Sequence, residues 1–529
     1  MNAMNGKSIK PLLAAAVAAG AMVSLADTWG KYVPVFNRGD SETYVNTIAN
    51  SNAEEFLRRN APAFECPDGD IERTYHFRWW TFRKHLKSTE DGWVVTEFLP
   101  PVGWARKHNT ISCALGHHCR EGRWLRDPKY VSDYLKFMLT QGTVSGYRAY
   151  INWPASSLAA LEENTGDGEL AKQLLAPLAK HYREWEKGWL VGAWPLKGKF
   201  RIGLDGCGLF GMSANYEGSE FSLSGNGYRP LLNSCMVSEA RCIAAIAASA
   251  GDSELEREFS LKAAKLEKKV LENLWSDERR FFLTMARGGA VSKTRELNGY
   301  APWYFGLNVK GKGDAFDQLL DEGGFAAPWG LTFPERRDAG FKIDYDGHCC
   351  LWNGPVWPYS TSITLTALAK AIAAGDSGSV GAAGYFKLLK QYAASHVIKL
   401  EDGRSLPWID ENQNPFDGDW VARTKLLRQG DKIVDRGKDY NHSTFCDLVL
   451  SGLVGLSSPA AGTISVRPLV PPSWNWFRLS KAPCAGVLVD VVYDRDGSRM
   501  GGKAGFEVFA DGKSVYYSPE LPKLAVFKR

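Results

Sequence analysis

Three stretches of the chain carry side chains that could transfer protons or hold a polar ring. The first, Tyr216-Glu217-Gly218-Ser219-Glu220-Phe221-Ser222, sets two carboxylates three residues apart in a Gly/Ser-rich loop. It lies just ahead of Gly225-Asn226-Gly227-Tyr228-Arg229-Pro230, where a helix is expected to begin. The second, Cys350-Leu351-Trp352-Asn353-Gly354-Pro355-Val356-Trp357-Pro358, fixes two indoles in a turn stiffened by Pro and Gly, a suitable wall for a sugar ring. The third, Trp408-Ile409-Asp410-Glu411-Asn412-Gln413-Asn414-Pro415, places acids among amides that can hold their hydrogen bonds. Carboxyl groups on separate loops suit general acid–base chemistry, one protonating a leaving oxygen and the other activating water. From the residues alone either Glu217 or Glu220 can supply the first loop's acid, and a capping or solvated role is open to both.

Further candidates lie upstream. Arg78, Trp79 and Trp80 fall within Tyr75–Lys84, and Trp104-Ala105-Arg106-Lys107-His108-Asn109 repeats the same mixture of indole and polar groups. Indole faces and N–H groups match a sugar, which is apolar on one face and polar at its rim. Arg78, Trp79, Trp80, Trp104, His108 and Asn109 are therefore expected to bind substrate. Tyr228, Arg229, Trp352, Asn353, Trp357 and Asn412 are expected to do so from the three motifs. The competing reading of Tyr75–Lys84 is a helix with a packed aromatic stripe. His117-His118 is not read as a metal site, because adjacent histidines cannot share a helix face and no third ligand follows at a metal-site spacing. Neither a metal nor a cofactor is expected.

The elements that must position these loops read mostly as helices. Apolar periodicity predicts them over Ser41–Asn60, Asp127–Leu139, Glu169–Tyr182, Pro230–Ala250, Ser253–Leu274, Ser360–Ala374, Ala382–Leu400 and Phe445–Gly455, the last buried all round. From about residue 460 the pattern changes to short runs rich in β-branched and aromatic residues around Asp-Gly and Gly-Gly turns: Thr463–Pro468, Gly486–Tyr493, Gly505–Phe509, Ser514–Tyr517 and Lys523–Phe527. The expected organisation is a signal peptide (1–26), an N-terminal extension (27–70), a helical toroid carrying the chemistry (71–459) and a small β domain (460–529).

The second and third motifs resemble the W-R-G-P-x-W-P and E-N-Y-N-P-x-T-G signatures of six-hairpin glycosidases. These are glycoside hydrolase family 63, the trehalases and the mannosylglycerate-hydrolase-like group. The first motif is similar in position to their E-S-G-x-D-N-S loop, and all three run in the same order here. The resemblance implies a mainly α fold, an (α/α)6 toroid with the small C-terminal β domain attached. It also implies hydrolysis of a glycosidic bond with inversion, Glu220 as acid and Glu411 as base, with Glu217 the rival acid. Inversion requires the two carboxyls about 6.5–9.5 Å apart, leaving space for water. Asn353 stands where the family has Arg, and Glu220 where it has Asp. Asp439-Tyr440-Asn441-His442-Ser443 is expected to line the barrel floor or cap the helix that follows.

Composition sets the outer bounds. The 529 residues include 19 Trp, 20 Tyr and 25 Phe and carry a net charge of +5, too small and scattered for a nucleic-acid surface. Lys7 and Lys10, the apolar run Pro11–Leu25 and small residues at Ser24-Leu25-Ala26 read as a cleavable secretory signal, so a secreted or periplasmic protein off the membrane is expected. The ten cysteines lack a repeated C-x-x-C spacing and are read chiefly as buried thiols, with Cys113–Cys119 and Cys235–Cys242 the candidate bridges. The partner expected is an oligosaccharide or glycan cleaved from one end, and the sequence leaves oligomeric state open. A polysaccharide lyase on a similar toroid and a catalytically inert carbohydrate-binding protein remain the alternatives.

Overall fold

The computed structural model describes residues 28–142, 150–192, 197–500 and 502–528. The signal segment expected at 1–26 lies outside the described residues. The chain is mainly helical, and its helices fall into two kinds. Gly69–His85, Pro230–Ala250 and Pro358–Ala373 are enclosed along most of their length; every residue from Thr74 to His85 is buried. Ser253–Asn273 buries only Phe259, Ala263, Leu266 and Val270, a single stripe at three- and four-residue spacing. Gly381–Ala394 likewise buries one face through Tyr385, Leu388, Leu389 and Tyr392. Enclosed helices backed by one-sided ones, joined in hairpins such as Pro230–Ala250 with Ser253–Asn273, are the arrangement of a double helical ring.

Local chemistry sets the helix ends. Pro154, Pro230 and Pro358 each open a helix, where a missing N–H costs nothing, and Gly166 and Gly251 close two of them in the left-handed region. Asp68 accepts from the N–H groups of Asp70 and Ile71, and Asp252 from that of Leu255, so the entering chain satisfies donors the helix itself cannot. Pro230–Ala250 is long and apolar enough to cross a bilayer, but it is packed inside the protein as a core helix.

The helix expected over Ser41–Asn60 is confined to Ala53–Asn60, preceded by a short 3-10 turn at Asn50–Asn52. Side chains divert the earlier residues: Asn46 donates to the Lys84 carbonyl, Asn50 to Asp40, and Glu42 takes the Asn50 N–H. A helix at Thr28–Arg38 precedes them and lays Trp29, Tyr32 and Phe36 over His76, Phe77 and Trp80. Phe445–Gly455 holds a π-helix at Leu448–Leu453, and Ala382–Leu400 ends its helix at Ala394 before a strand at Val397–Lys399.

The C-terminal strands form two antiparallel sheets. Leu456–Ala460, Thr463–Val466 and Ala525–Lys528 make the smaller. Trp476–Cys484, Val487–Asp494, Gly505–Ala510 and Lys513–Ser518 make the larger, and Ala63–Glu65 joins its edge with Ala63 opposite Ser480. Strands therefore extend beyond the 460–529 segment. A separate four-stranded sheet of Trp189–Gly192, Lys199–Leu204, Phe210–Met212 and Gly227–Tyr228 sits beside the first motif. All ten cysteines are free, so neither candidate bridge forms.

Candidate active site

The three motifs are far apart in sequence and stitched together by main-chain hydrogen bonds. The loop holding Glu220 is closed at its base by the pairing of Met212 with Gly227, which turns 213–226 into the connection of a tight hairpin. Gly227 is required there: a Cβ would stand 2.4 Å from the Met285 carbonyl. Trp352 N–H of the second motif donates to the Glu220 carbonyl at 3.0 Å. Val356 of the second motif and Gln413 of the third exchange both backbone bonds, at 2.9 and 3.0 Å. The three loops are thereby tied together around a cavity of about 480 Å³.

Glu220 and Glu411 both line that cavity. Burial pushes the Glu220 carboxyl up to about 8; a hydrogen bond from its own backbone opposes this, the charge of Glu411 adds to it, and the Trp352 indole opposes it least. It holds its proton at neutral pH, as a general acid must. Phe221, next in sequence, has φ +61°, a left-handed conformation that is costly for a bulky residue and that marks the acid's position as constrained. Glu411 has a counter-charge, with Arg436 Nε 3.5 Å from its Oε1, and it accepts from Cys350 Sγ at 3.2 Å. Its N–H is held by Asp410 Oδ1 at 2.7 Å.

Glu217 does something different. Its carboxylate is buried, accepting from Arg229 Nε at 2.5 Å, Asn298 Nδ2 at 3.1 Å and Leu232 N–H at 3.2 Å. Arg229 also donates to Ser219 Oγ, Ser222 Oγ and the Gly225 carbonyl, and Glu296 lies 3.5 Å away. All four of these hydrogen bonds go to the loop that holds Glu220. Glu217 and Arg229 thus hold Glu220 in place, and neither lines the cavity.

The other expected substrate contacts divide. Trp104, Trp352 and Trp357 line the cavity; the last two stack at 3.9 Å between ring centroids and form one double-thickness wall. Asn412 instead buttresses the third motif, donating to the Cys349 carbonyl and accepting from Ala422 N–H. Asn353 is buried in its turn, where its carbonyl takes the Lys342 N–H. Tyr228 donates to Asp205 at 3.1 Å, away from the cavity. Asn109 braces the loop ahead of it through the carbonyls of Phe98 and Pro100, and His108 pairs with Asp91 at 2.7 Å. His108, Asp91 and Glu90 could converge on a metal ion, but Lys107 already neutralises Asp91.

Arg78, Trp79 and Trp80 are corrected outright. All three are at most 1% exposed, within the enclosed helix Gly69–His85. Arg78 is directed to His396 and the Ser443 carbonyl, Trp79 packs on Tyr75 and Phe82, and Trp80 donates to Asn37. The stripe is core because the N-terminal helix covers it. His117 is clasped edge-on by Trp153 and Tyr359, while His118 meets the Tyr134 hydroxyl.

Sequence reasoning missed Glu97. It lines the cavity beside Glu220 and Glu411, accepts from Trp104 Nε1 at 3.0 Å, and is pushed up to about 8 by burial. Its backbone N–H is held by the Asn109 carbonyl. Arg436 lies 5.0 Å over the Trp104 ring, so one cation meets both Glu411 and Trp104. Tyr440 and His442, 4.3 Å apart, also line the cavity, as one reading of the 439–443 segment expected.

The fold is that of the six-hairpin glycosidases, with Glu220, Glu411 and an indole wall lining one cavity. Residues 107–191 and 201–443 match the mannosylglycerate hydrolase MGH1-like glycoside hydrolase domain, and the chain belongs to that family. Among solved structures, one described as a sialidase is 31% identical with a TM-score of 0.84, over 94% of this chain and 44% of its own. This chain therefore spans under half of that protein's length. The GH78 family rhamnosidase of Bacillus sp. GL1 is 14% identical (TM-score 0.51, 82% of this chain and 41% of that one). The Streptomyces avermitilis α-L-rhamnosidase is 11% identical (TM-score 0.51, 86% and 38%), and these two share the fold alone.

Proposed function

We propose that this chain is an exported, exo-acting glycoside hydrolase that inverts the anomeric centre of a neutral sugar, with Glu220 as general acid and Glu411 as general base. The observation that carries the reading is the difference between two carboxyls in one cavity. Glu220 is held protonated by burial, whereas Glu411 faces Arg436. Glu220 gives its proton to the leaving oxygen while Glu411 draws a proton from water attacking the opposite ring face. Protonated Glu97 donates a hydrogen bond to a sugar hydroxyl, and the stacked Trp352–Trp357 pair carries the apolar face.

The neutral sugar follows from charge. Glu97, Glu220, Glu411 and Asp431 line the cavity, and the one arginine among its described walls is already committed to Glu411. An acidic sugar would meet the charges of Glu411 and Asp431 with only Arg436 to offset them, whereas protonated Glu97 and Glu220 offer donors to neutral hydroxyls. The same repulsion weighs against a lyase acting on a uronate, although Tyr440, His442 and Arg436 supply the residue types such an enzyme uses. A pocket of about 480 Å³ floored by Tyr440 and His442 accepts the end of a chain rather than its middle.

The test is to screen neutral aryl glycosides and glycans, then follow the active one by proton NMR at early times. The expected first product has the anomeric configuration opposite to the substrate's. Initial release of the retained anomer rejects the inverting pair, and an ultraviolet-absorbing unsaturated product would favour the lyase.

A further inference from the structure

A second cavity, of about 410 Å³, lies between the helical ring and the smaller C-terminal sheet, and it shares no wall residue with the catalytic one. Its ring side is built by Pro154–Thr165, Pro358–Ala373 and Leu448–Leu453, and its sheet side by residues around Ser457 and Arg467.

Four cations line it: Arg120, Arg123, Lys370 and Arg467. Arg123 is closely matched, by Glu163 at 2.8 Å and Asp447 at 2.9 Å. Arg120 Nε has no hydrogen-bond partner among the described residues; the guanidinium lies 5.4 Å over the Tyr304 ring and makes a looser pair, at 3.9 Å, with Asp447, which Arg123 and Trp124 already hold. Lys370 comes to the same ring, 5.6 Å from its centroid, donates to the Tyr304 carbonyl, and has no carboxylate partner among the described residues. Burial, and then the charge of Arg120, lower the Lys370 ammonium to about 7, so Arg120 and a partly protonated Lys370 converge on one tyrosine. Arg467 faces them from the sheet, its side chain free of hydrogen bonds among the described residues. Arg123 Nε, Trp153 Nε1 and the Tyr304 hydroxyl are buried polar atoms with no partner. Unpartnered donors around excess positive charge form the complement of an oxyanion.

We propose that this cavity binds a small oxyanionic ligand, a phosphate or carboxylate group held by Arg120, Lys370 and Arg467, whose remaining atoms rest on Trp153 and Tyr385. The anion accepts the orphaned donors and separates the two cations at Tyr304. The site is independent of the sugar chemistry, and no bond forms or breaks in it.

Calorimetric titration of the full chain with inorganic phosphate, succinate and glucose tests this at low ionic strength. Phosphate or succinate is expected to bind with a single site per chain, the tighter of the two identifying the anionic group, while glucose leaves this site unfilled. Arg120→Gln, Lys370→Gln and Arg467→Gln should each weaken that binding about tenfold or more, as loss of one charge-assisted contact predicts. Glu411→Gln, in the other cavity, should leave it unchanged. Because a variant could lose its fold, the wild-type melting temperature is read as well, and it should rise with anion concentration. The proposal is overturned if neither anion binds or raises the melting temperature of the wild-type protein. It is equally overturned if binding survives all three cation substitutions or is altered by Glu411→Gln.

Discussion

Glu411 and Glu220 can be separated by what each does to the rate. Glu411→Gln should keep the fold and sugar binding while lowering turnover by about 10² to 10⁴, the usual contribution of a general base; wild-type turnover by the purified variant would remove the assignment. Glu220→Gln should spare activated aryl glycosides and cripple substrates with poor leaving groups, since only the latter need the proton. In the parent protein kcat/KM should fall as pH rises through about 8, where Glu220 gives up its proton, and this limb should become shallower in the variant, where Glu97 alone in the cavity titrates in that range. Measuring both substrate types across pH settles the point, and an equal loss on both would reject Glu220 as acid. These two glutamates were legible because each sits in a patterned loop. Glu97 was not: in Val94-Val95-Thr96-Glu97-Phe98 nothing marks it, and its proximity to the other acids exists only once the strand Gly92–Val95 is folded. Trp79 and Trp80 misled for the opposite reason, since an indole suited to sugar is equally suited to a core and the covering helix Thr28–Arg38 gave no sequence signal of its contact.

Among the elements, the hairpin that presents Glu220 depends on one guanidinium. Arg229→Met would leave Glu217 and Glu296 as uncompensated buried carboxylates, and breaking such a pair costs about 3–5 kcal/mol. A clear drop in melting temperature together with lost turnover is expected, although Arg229 touches no substrate; an unchanged melt would contradict the role given to it. The helices were readable where Pro and Gly punctuate them, as at Pro230 and Gly251. They were not readable at 41–49, where asparagine side chains bond to backbone and neighbouring acid and replace the helical ladder. The strand Trp476–Cys484 was missed as well, because Lys481, at φ +57°, and Pro483 interrupt its alternation. The bulge between Leu479 and Ala482 absorbs that interruption.

For the molecule as a whole, buried acids and histidines set the response to pH. Burial raises Glu97 and Glu220 to about 8 and Glu239 and Asp410 to about 7, so the folded chain keeps protons that the unfolded chain has released. Each of these acids makes stability decline as pH rises from the ordinary carboxylate range towards about 8, whereas buried His76, His85 and His181, lowered to about 4, take protons only in the unfolded chain and make stability rise with pH up to the ordinary imidazole range. Asp447, held below its usual range mainly by Arg123 against the opposing effect of burial, acts in the same sense as the histidines and withdraws stability only in acid. Calorimetric melts of the parent and of Glu97→Gln should differ in slope above about pH 7, the parent's midpoint falling relative to the variant's as Glu97 is forced to ionise; a parent midpoint that rises relative to the variant's would refute this account. Helix content and the late change to strands were plain from periodicity, but the partnership of the two ends was invisible, since a three-residue strand carries no pattern. That partnership has a kinetic meaning. Phe64 is fully buried; it packs on nearby Tyr75, but its strand takes its ladder partner from Trp476–Cys484, so completing this part of the chain's beginning waits on its end. Such a long closure slows folding and makes it a late, whole-chain event, one suited to a polypeptide that is completed before it folds. A chain cut short before Trp476 would keep an open seam at its beginning, with Phe64 and an unpaired strand edge free to join other molecules.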